Sequence, residues 1–290
     1  MGGIVLSANE VTYEPDNCLK TGYRRILGDI FKEIKKNRWL IYQFFKRDFV
    51  TSYRQSLFGI LWAFIVPIVS VVALVVLSQS GLFDVGALKV PYPVYALVGL
   101  LFWQLFSTGV FSCSNALVQA GAMITKINFS KKALVLASMG RTFVTFVIQL
   151  ALALVVLTYY WIFSGFVPNI AFLLIPVLIV PLLLLTLGLG LVLSAFNGFV
   201  RDFGNLVLLG TTFLLVLTPV LYAVPTTGVL AQLTTYNPLY YLVSLPRDLI
   251  LTGNSVLWTG FLISSVLSAI VFVICLVAFH LTETRLAERI

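Results

Sequence analysis

The sequence predicts an all-α membrane protein with six transmembrane helices, and three observations carry that prediction. Of 290 residues, 60% are hydrophobic and only 10% are charged, far below the roughly 25% charge of a soluble domain. Too few charges remain to build a water-facing surface, which excludes soluble globular folds, disordered tails and disulfide-rich secreted modules. Long stretches carry no charge at all: Gln55 to Phe83, Val90 to Thr125, Thr142 to Val200, Phe203 to Pro246 and Leu249 to Thr282. A helical span needs about 20 such residues. These runs are continuous and rich in Leu, Val and Ile, whereas barrel strands would alternate.

Residues 1–21 read as an N-terminal tail. They hold only the short apolar run Ile4 to Leu6, so no cleavable signal peptide is expected. Residues 22–56 read as amphipathic interface helices. Ile26, Ile30 and Ile34 recur at four-residue spacing beside Leu27 and Phe31, while Lys32, Lys35 and Lys36 take other faces. Asn37 is placed to cap a second helix from Arg38, with Ile41, Phe45 and Phe49 on one stripe and Lys46, Arg47 and Asp48 between them. Such a segment lies along a membrane surface or serves as a plain basic anchor.

Residues 57–282 hold the six spans, expected at Gly59–Ser80, Val94–Val118, Gly140–Phe163, Ile170–Phe196, Asn205–Val224 and Val256–Leu281. The basic residues orient them. Ten Lys or Arg from Lys20 to Arg54 precede span 1. Lys126, Lys131, Lys132 and Arg141 lie between spans 2 and 3, Arg201 between spans 4 and 5, and Arg285 and Arg289 at the end. With six spans these 17 fall on one side, against Lys89 and Arg247 on the other. The excess marks the cytoplasmic side, so both termini are expected there, with residues 283–290 as a C-terminal tail. The net charge of +8 suits an anionic bilayer face or an anionic substrate.

No ionisable residue lies well inside a predicted span. That argues against a proton relay, a voltage sensor and an intramembrane metalloenzyme, each of which needs buried charge or clustered ligands. The single histidine, His280, falls at the cytoplasmic end of span 6 and reads as an interface-facing side chain. Cys18, Cys113 and Cys275 are far apart and read as packing residues. The chain has no G-x-x-x-x-G-K-[ST] phosphate loop. It is expected to hold no cofactor, no metal and no catalytic residue of its own. A transport role would draw energy from a separate ATPase subunit that binds ATP and Mg.

Two connections are more than simple loops. Residues 124–132, Ile-Thr-Lys-Ile-Asn-Phe-Ser-Lys-Lys, are short, basic and partly apolar: an ordinary turn, or a docking helix anchored by Phe129. Between spans 5 and 6, residues 228–250 are too apolar for a free loop. Tyr236, Leu239, Tyr240, Leu242, Val243 and Leu245 suggest a re-entrant external helix with Pro238 near its first turn. Aromatics, 14% of the chain, fit interfacial belts, and a minority could line a conduit by stacking on sugar rings.

Five motifs occur in one order: Arg47-Asp-Phe-Val-Thr-Ser-Tyr-Arg-Gln-Ser-Leu-Phe-Gly-Ile-Leu-Trp-Ala63, ending at Pro67; Thr125-Lys-Ile-Asn-Phe-Ser-Lys; Arg201-Asp-Phe; Thr218-Pro-Val-Leu-Tyr222; and Asn237-Pro-Leu followed by Arg247. Together they resemble the transmembrane subunit of type-2 ABC exporters of lipid-linked polysaccharide, such as O-antigen, capsule and teichoic acid, from about Arg38 to Leu281. Phe58 stands where the family has leucine before the glycine, and Ser130 where it often has proline. The resemblance implies a homodimer with two copies of an ABC ATP-binding subunit, in a bacterial inner membrane. The conduit would lie at the dimer interface, mainly from spans 1 and 5, and the substrate would be a polymer on undecaprenyl diphosphate. It implies roles for Arg54, Gly59 and Arg47 at the diphosphate, and for Lys126, Asn128, Phe129 and Lys131 in ATPase coupling. Trp62, Phe64, Pro219, Tyr222, Asn237 and Pro238 would belong to the channel and gate. A permease for a drug or small lipid is the nearer alternative. A membrane-bound transferase is the more distant one, with only Asp202 and His280 as modest acid–base candidates.

Overall fold

Every regular element is helical in the computed structural model, which describes residues 23–54, 58–81, 85–86, 88, 90–121, 130–200, 202–224 and 227–286 (the side chains of 23–27, 29, 52–54 and 284–286 excepted). The amphipathic segment forms two helices, α1 (Tyr23–Lys36) and α2 (Arg38–Arg54), joined at Asn37. Ile30 is fully buried and Ile34 packs on the core, while Phe31 faces outward. In α2, Phe44 is buried and Ile41 and Phe45 pack on the core, whereas Trp39 and Tyr42 are exposed.

A 3-10 turn, Gly59–Leu61, leads into α3 (Trp62–Gln79). Gly59 has φ +46°, a left-handed value that a side chain resists. Next come α4 (Tyr92–Gln119) and α5 (Lys131–Ser164). The fourth apolar stretch is interrupted near its start. A 3-10 turn at Ile170–Leu174 and the single turn α6 (Ile175–Leu178) precede α7 (Val180–Phe199). Pro176 and Pro181 each fall in the first turn of their helix, where no amide donor is needed. The remaining helices are α8 (Phe203–Leu217), α9 (Val229–Tyr236), α10 (Pro238–Thr252) and α11 (Trp258–Leu286).

Five helical segments among the described residues are long and apolar enough to cross a bilayer: Gly59–Gln79, Tyr92–Gln119, Lys131–Ser164, Ile170–Phe199 and Trp258–Glu283. The chain is a multi-pass helical membrane protein. The stretch expected as span 5, Asn205–Val224, is helical only from Phe203 to Leu217. Fifteen helical residues reach about 22 Å, against about 30 Å of hydrocarbon. The helix stops because Thr218 is extended and Pro219 has no amide to continue the ladder.

α4 is the centre of the bundle, flanked by α5 and α7, and α11 lies along α7. In its most apolar 18 residues, 78% are buried, compared with 17% for the α3 segment. Small residues permit the closest crossings, as expected where lipid supplies no hydrophobic drive between helices. A methyl on Gly188 would lie 2.9 Å from the Phe272 Cα of α11, and one on Gly190 would collide with Cys113 of α4. By contrast α8 leaves Leu206, Leu208, Leu209, Phe213 and Val216 uncovered.

Candidate functional site

Among the described residues, three polar clusters sit at the ends of this apolar bundle. The proximal end carries α1 and the close of α11. The distal end carries α9, α10 and the termini of α3 and α8.

At the distal end the Thr218–Tyr222 and Asn237–Leu239 motifs meet, and Arg247 joins them. Thr218 is fully buried, and its hydroxyl receives a 2.8 Å hydrogen bond from Asn237 Nδ2. Asn237 Oδ1 accepts from the Leu239 amide at 3.0 Å, capping α10, and Pro238 follows in the first turn. One asparagine therefore starts α10 and ties it to the end of α8.

Arg247 is only 3% exposed. Its Nη1 donates to the carbonyls of Pro219 (3.3 Å) and Val220 (3.2 Å), and its Nε to Asp248 at 3.1 Å. The guanidinium lies 4.0 Å over the Tyr95 ring, so an aromatic face supplies part of the solvation that burial removes. Tyr95 Oη donates to the Tyr222 carbonyl at 3.1 Å, and Tyr222 Oη to the Val216 carbonyl at 2.6 Å. Burial pushes Asp248 above the usual carboxylate range, against the pull of Arg247 beside it. Gly99 of α4 completes the fit: a methyl there would lie 2.6 Å from the Val220 carbonyl oxygen.

The start of α8 is held separately. Asn197 of α7, 1% exposed, donates to the Ser114 carbonyl and to Asn115 Oδ1, both at 3.0 Å. Its own Oδ1 accepts from the Gly204 amide at 3.0 Å, one of the donors that a helix N-terminus leaves open. α8 is thus pinned at both tips by polar bonds while its flank carries uncovered apolar side chains.

At the proximal end Lys132, 1% exposed, bonds two carboxylates: Glu33 of α1 at 2.8 Å and Glu283 of α11. Glu283 also accepts from the Lys131 amide at 2.6 Å, and its carbonyl from Lys131 Nζ at 3.4 Å. Burial acts to raise Glu33. The hydrogen bonds from Lys132 and Ser130 and the charge of Lys132 outweigh it, and the carboxyl ends below its usual value. Glu33, His280 and Glu283 bring ligand atoms within 4.8 Å of one another. That set would suit a divalent cation, but the Lys132 ammonium already sits on both carboxylates.

The structure brings together Pro219, Tyr222, Asn237 and Pro238, as described. Trp62 and Phe64 lie in the first turn of α3. Trp62 is exposed, its ring edge-on to Phe58 at 5.6 Å, and Phe64 is half-buried. Arg47 pairs with its neighbour Asp48 at 2.8 Å and lies over the Phe44 ring. Arg54 closes α2. Gly59 opens the turn before α3. Lys131 begins α5 and is buried; Lys126, Asn128 and Phe129 lie outside the described residues. Sequence reasoning missed Lys132, Glu33, Glu283 and Asn197. His280, expected as an interface-facing side chain at the end of span 6, is half-buried near Glu33 and Glu283. Asn197 alone left a sign, a polar residue in an apolar run two positions before its helix ends.

These features define a helical membrane protein with structured polar joints at the helix ends. The ABC-2 type transporter family matches residues 40–251, and the chain belongs to that family. It is similar to an O-antigen export system permease protein, RfbA, of Myxococcus xanthus: 30% identical over 198 residues, covering 68% of this chain and 73% of the relative. Two further proteins of that name from Klebsiella pneumoniae are each 25% identical. One match covers 83% of this chain and 91% of the relative; the other covers 72% and 78%. The chain is accordingly a membrane subunit of an ABC transport system, a class that works with an ATP-binding partner.

Proposed function

We propose that this chain is the permease of an ATP-driven exporter that moves undecaprenyl-diphosphate-linked polysaccharide, O-antigen or a similar polymer, across a bacterial inner membrane. The observation that carries this reading is its likeness, over 73% to 91% of their length, to proteins named as O-antigen export permeases. The chain works as a homodimer with two ATP-binding subunits, which hold ATP and Mg. Both termini face the cytoplasm, as the 17-to-2 division of basic residues favours. α8, with the bend after it, serves as the sixth span. Its length shortfall is met where α9 and α10 re-enter the membrane edge and pack on protein.

The conduit lies where two copies meet along α3 and α8, both of which keep uncovered apolar faces in the single chain. Such a wall carries no fixed charge, so it can pass a sugar chain without holding it tightly. Trp62 and Phe64 present ring faces at its cytoplasmic mouth. Arg47 and Arg54 offer cations to the diphosphate there, and the turn at Gly59 lets backbone approach it. The distal joint of Pro219, Tyr222, Asn237, Pro238 and Arg247 serves as the gate frame. Because Arg247 and Asn237 tie α10 to the end of α8, these two helices move together. Segment 124–132 receives the ATPase motion.

The test is to delete the gene and follow lipid-linked glycan. Accumulation of undecaprenyl-diphosphate-linked polymer inside the cell, reversed by the wild-type chain, is expected. Unaltered glycan export with loss of a small lipid or drug from the medium would instead favour that narrower cargo. In the complemented strain, Arg54→Ala should lower export and abolish stimulation of ATP hydrolysis by the lipid-linked substrate. Unchanged values would remove Arg54 from the mechanism.

A further inference from the structure

The proximal cluster holds a charge arrangement that membrane insertion does not require. Positive-inside anchoring needs lysines at the surface, yet Lys132 is 1% exposed and reaches two carboxylates distant in sequence. Removing an ammonium and two carboxylates from water is unfavourable, and apolar residues of similar volume would hold three helices together at least as well. What an ion cluster adds is directionality, a fixed relation among the three elements that carry it. Those elements are α1 through Glu33, the first turn of α5 through Lys131 and Lys132, and the last turns of α11 through Glu283. Ser130, just before α5, adds a side-chain hydrogen bond to Glu33. Glu283 is held at three points, its two carboxylate oxygens and its carbonyl. The start of α5 therefore cannot shift without drawing α1 and the end of α11 with it. Residues 124–132 end on this turn.

We infer that Lys132 is a positioning residue for energy coupling, a branch point that passes displacement of the start of α5, where segment 124–132 ends, to α1 through Glu33 and to α11 through Glu283. The inference rests on the exporter reading above, in which an ATP-binding subunit drives that segment. α1 is the basic amphipathic helix and α11 packs along α7, so one motion reaches both. Lys132 is not a catalytic residue, since it acts only through the helices it ties.

The test uses the full chain purified with its ATP-binding subunit. Hydrogen exchange is followed in residues 23–36 and 276–286, with and without a non-hydrolysable ATP analogue and Mg. Wild type should change protection in both segments when nucleotide binds. Glu33→Gln should abolish the response of 23–36 and keep that of 276–286. Glu283→Gln should do the reverse, and Lys132→Met should abolish both, with Lys132→Arg restoring them. In Lys132→Met, ATP hydrolysis should persist while glycan export per ATP falls about fivefold or more, the lower range of an allosteric coupling. A role confined to stability would lower protection equally with and without nucleotide and would not separate the two glutamates. The inference is overturned if Glu33→Gln and Glu283→Gln act alike on both segments, or if Lys132→Met leaves the nucleotide responses intact. Should Lys132→Met fail to assemble, the two glutamine variants, which keep the ammonium and one carboxylate, decide the matter. A wild-type chain that purifies with no ATP-binding subunit overturns the exporter reading as well, a result distinct from a complex that forms but shows no branch.

Discussion

The two ends of the bundle each bury a cation, and they do so with opposite chemistry. Lys132 is held by two carboxylates from helices far apart in sequence. Arg247 is held by two backbone carbonyls, an aromatic face and the carboxylate of its immediate neighbour. An ammonium is a compact point charge suited to separate anions around it, whereas a guanidinium is a planar fork that stacks and spreads several donors. The proximal joint thus depends on charges that can be neutralised singly. The distal joint depends mostly on groups that never titrate. Acid can therefore release the proximal joint while leaving most of the distal one in place.

Lys132→Met tests this contrast most severely. It takes from Glu33 and Glu283 the ammonium they share, so the purified protein should lose about 3–5 kcal/mol of stability, the range for a broken buried ion pair. Thermal unfolding in mild detergent measures it. Arg247→Met removes the donors to two carbonyls but leaves no buried pair of anions. Its loss should be smaller, about 2 kcal/mol, set by hydrogen bonds from a charged group. If the distal loss exceeds the proximal one, the contrast is wrong. Gly99→Ala sharpens the distal half, since its methyl meets the Val220 carbonyl at 2.6 Å and must displace the Arg247 acceptors without touching Arg247 itself. Asn237→Ala should cost about 1 kcal/mol, the usual loss for a helix cap. It should also loosen α10 from Thr218 as judged by faster exchange in 238–252.

Much of this architecture was legible because apolar runs and caps are local signals. The uncharged runs located the long helices, the four-residue spacing of Ile30 and Ile34 marked one apolar stripe on a helix, and Pro238 falls in the first turn of α10. The Thr218–Tyr222 and Asn237–Leu239 motifs were visible as separate patches, and the structure joins them through Asn237 and Thr218. The end of α8 at Leu217 was misjudged because Thr218-Pro219-Val220 is apolar enough to extend a span by composition, while backbone geometry stops the helix there. The proximal cluster was invisible for a different reason. Glu33 and Glu283 lie 250 residues apart in sequence, each looks like an ordinary surface charge beside lysines or threonines, and only the fold brings both to Lys132 at the start of α5. Lys132 was read as one more positive-inside residue because its burial follows from tertiary contacts alone.

Acid separates the two joints in sign as well as size. Glu33 has its carboxyl held below the ordinary 4.5. Its contribution is therefore complete above that value and is lost as pH falls through the lower folded-state value. Asp248 is raised above the ordinary 3.8, so its contribution is present at low pH and is lost as pH rises through the raised value. Lowering the pH should thus release α1, seen as rising exchange in residues 23–36 only once pH is below 4.5. Over the same interval α10 should keep or gain protection, because Asp248 takes up a proton while the carbonyls that hold Arg247 are unaffected. Parallel loss of protection in both segments would mean that α1 leaves with the whole fold and that the proximal joint has no separate life.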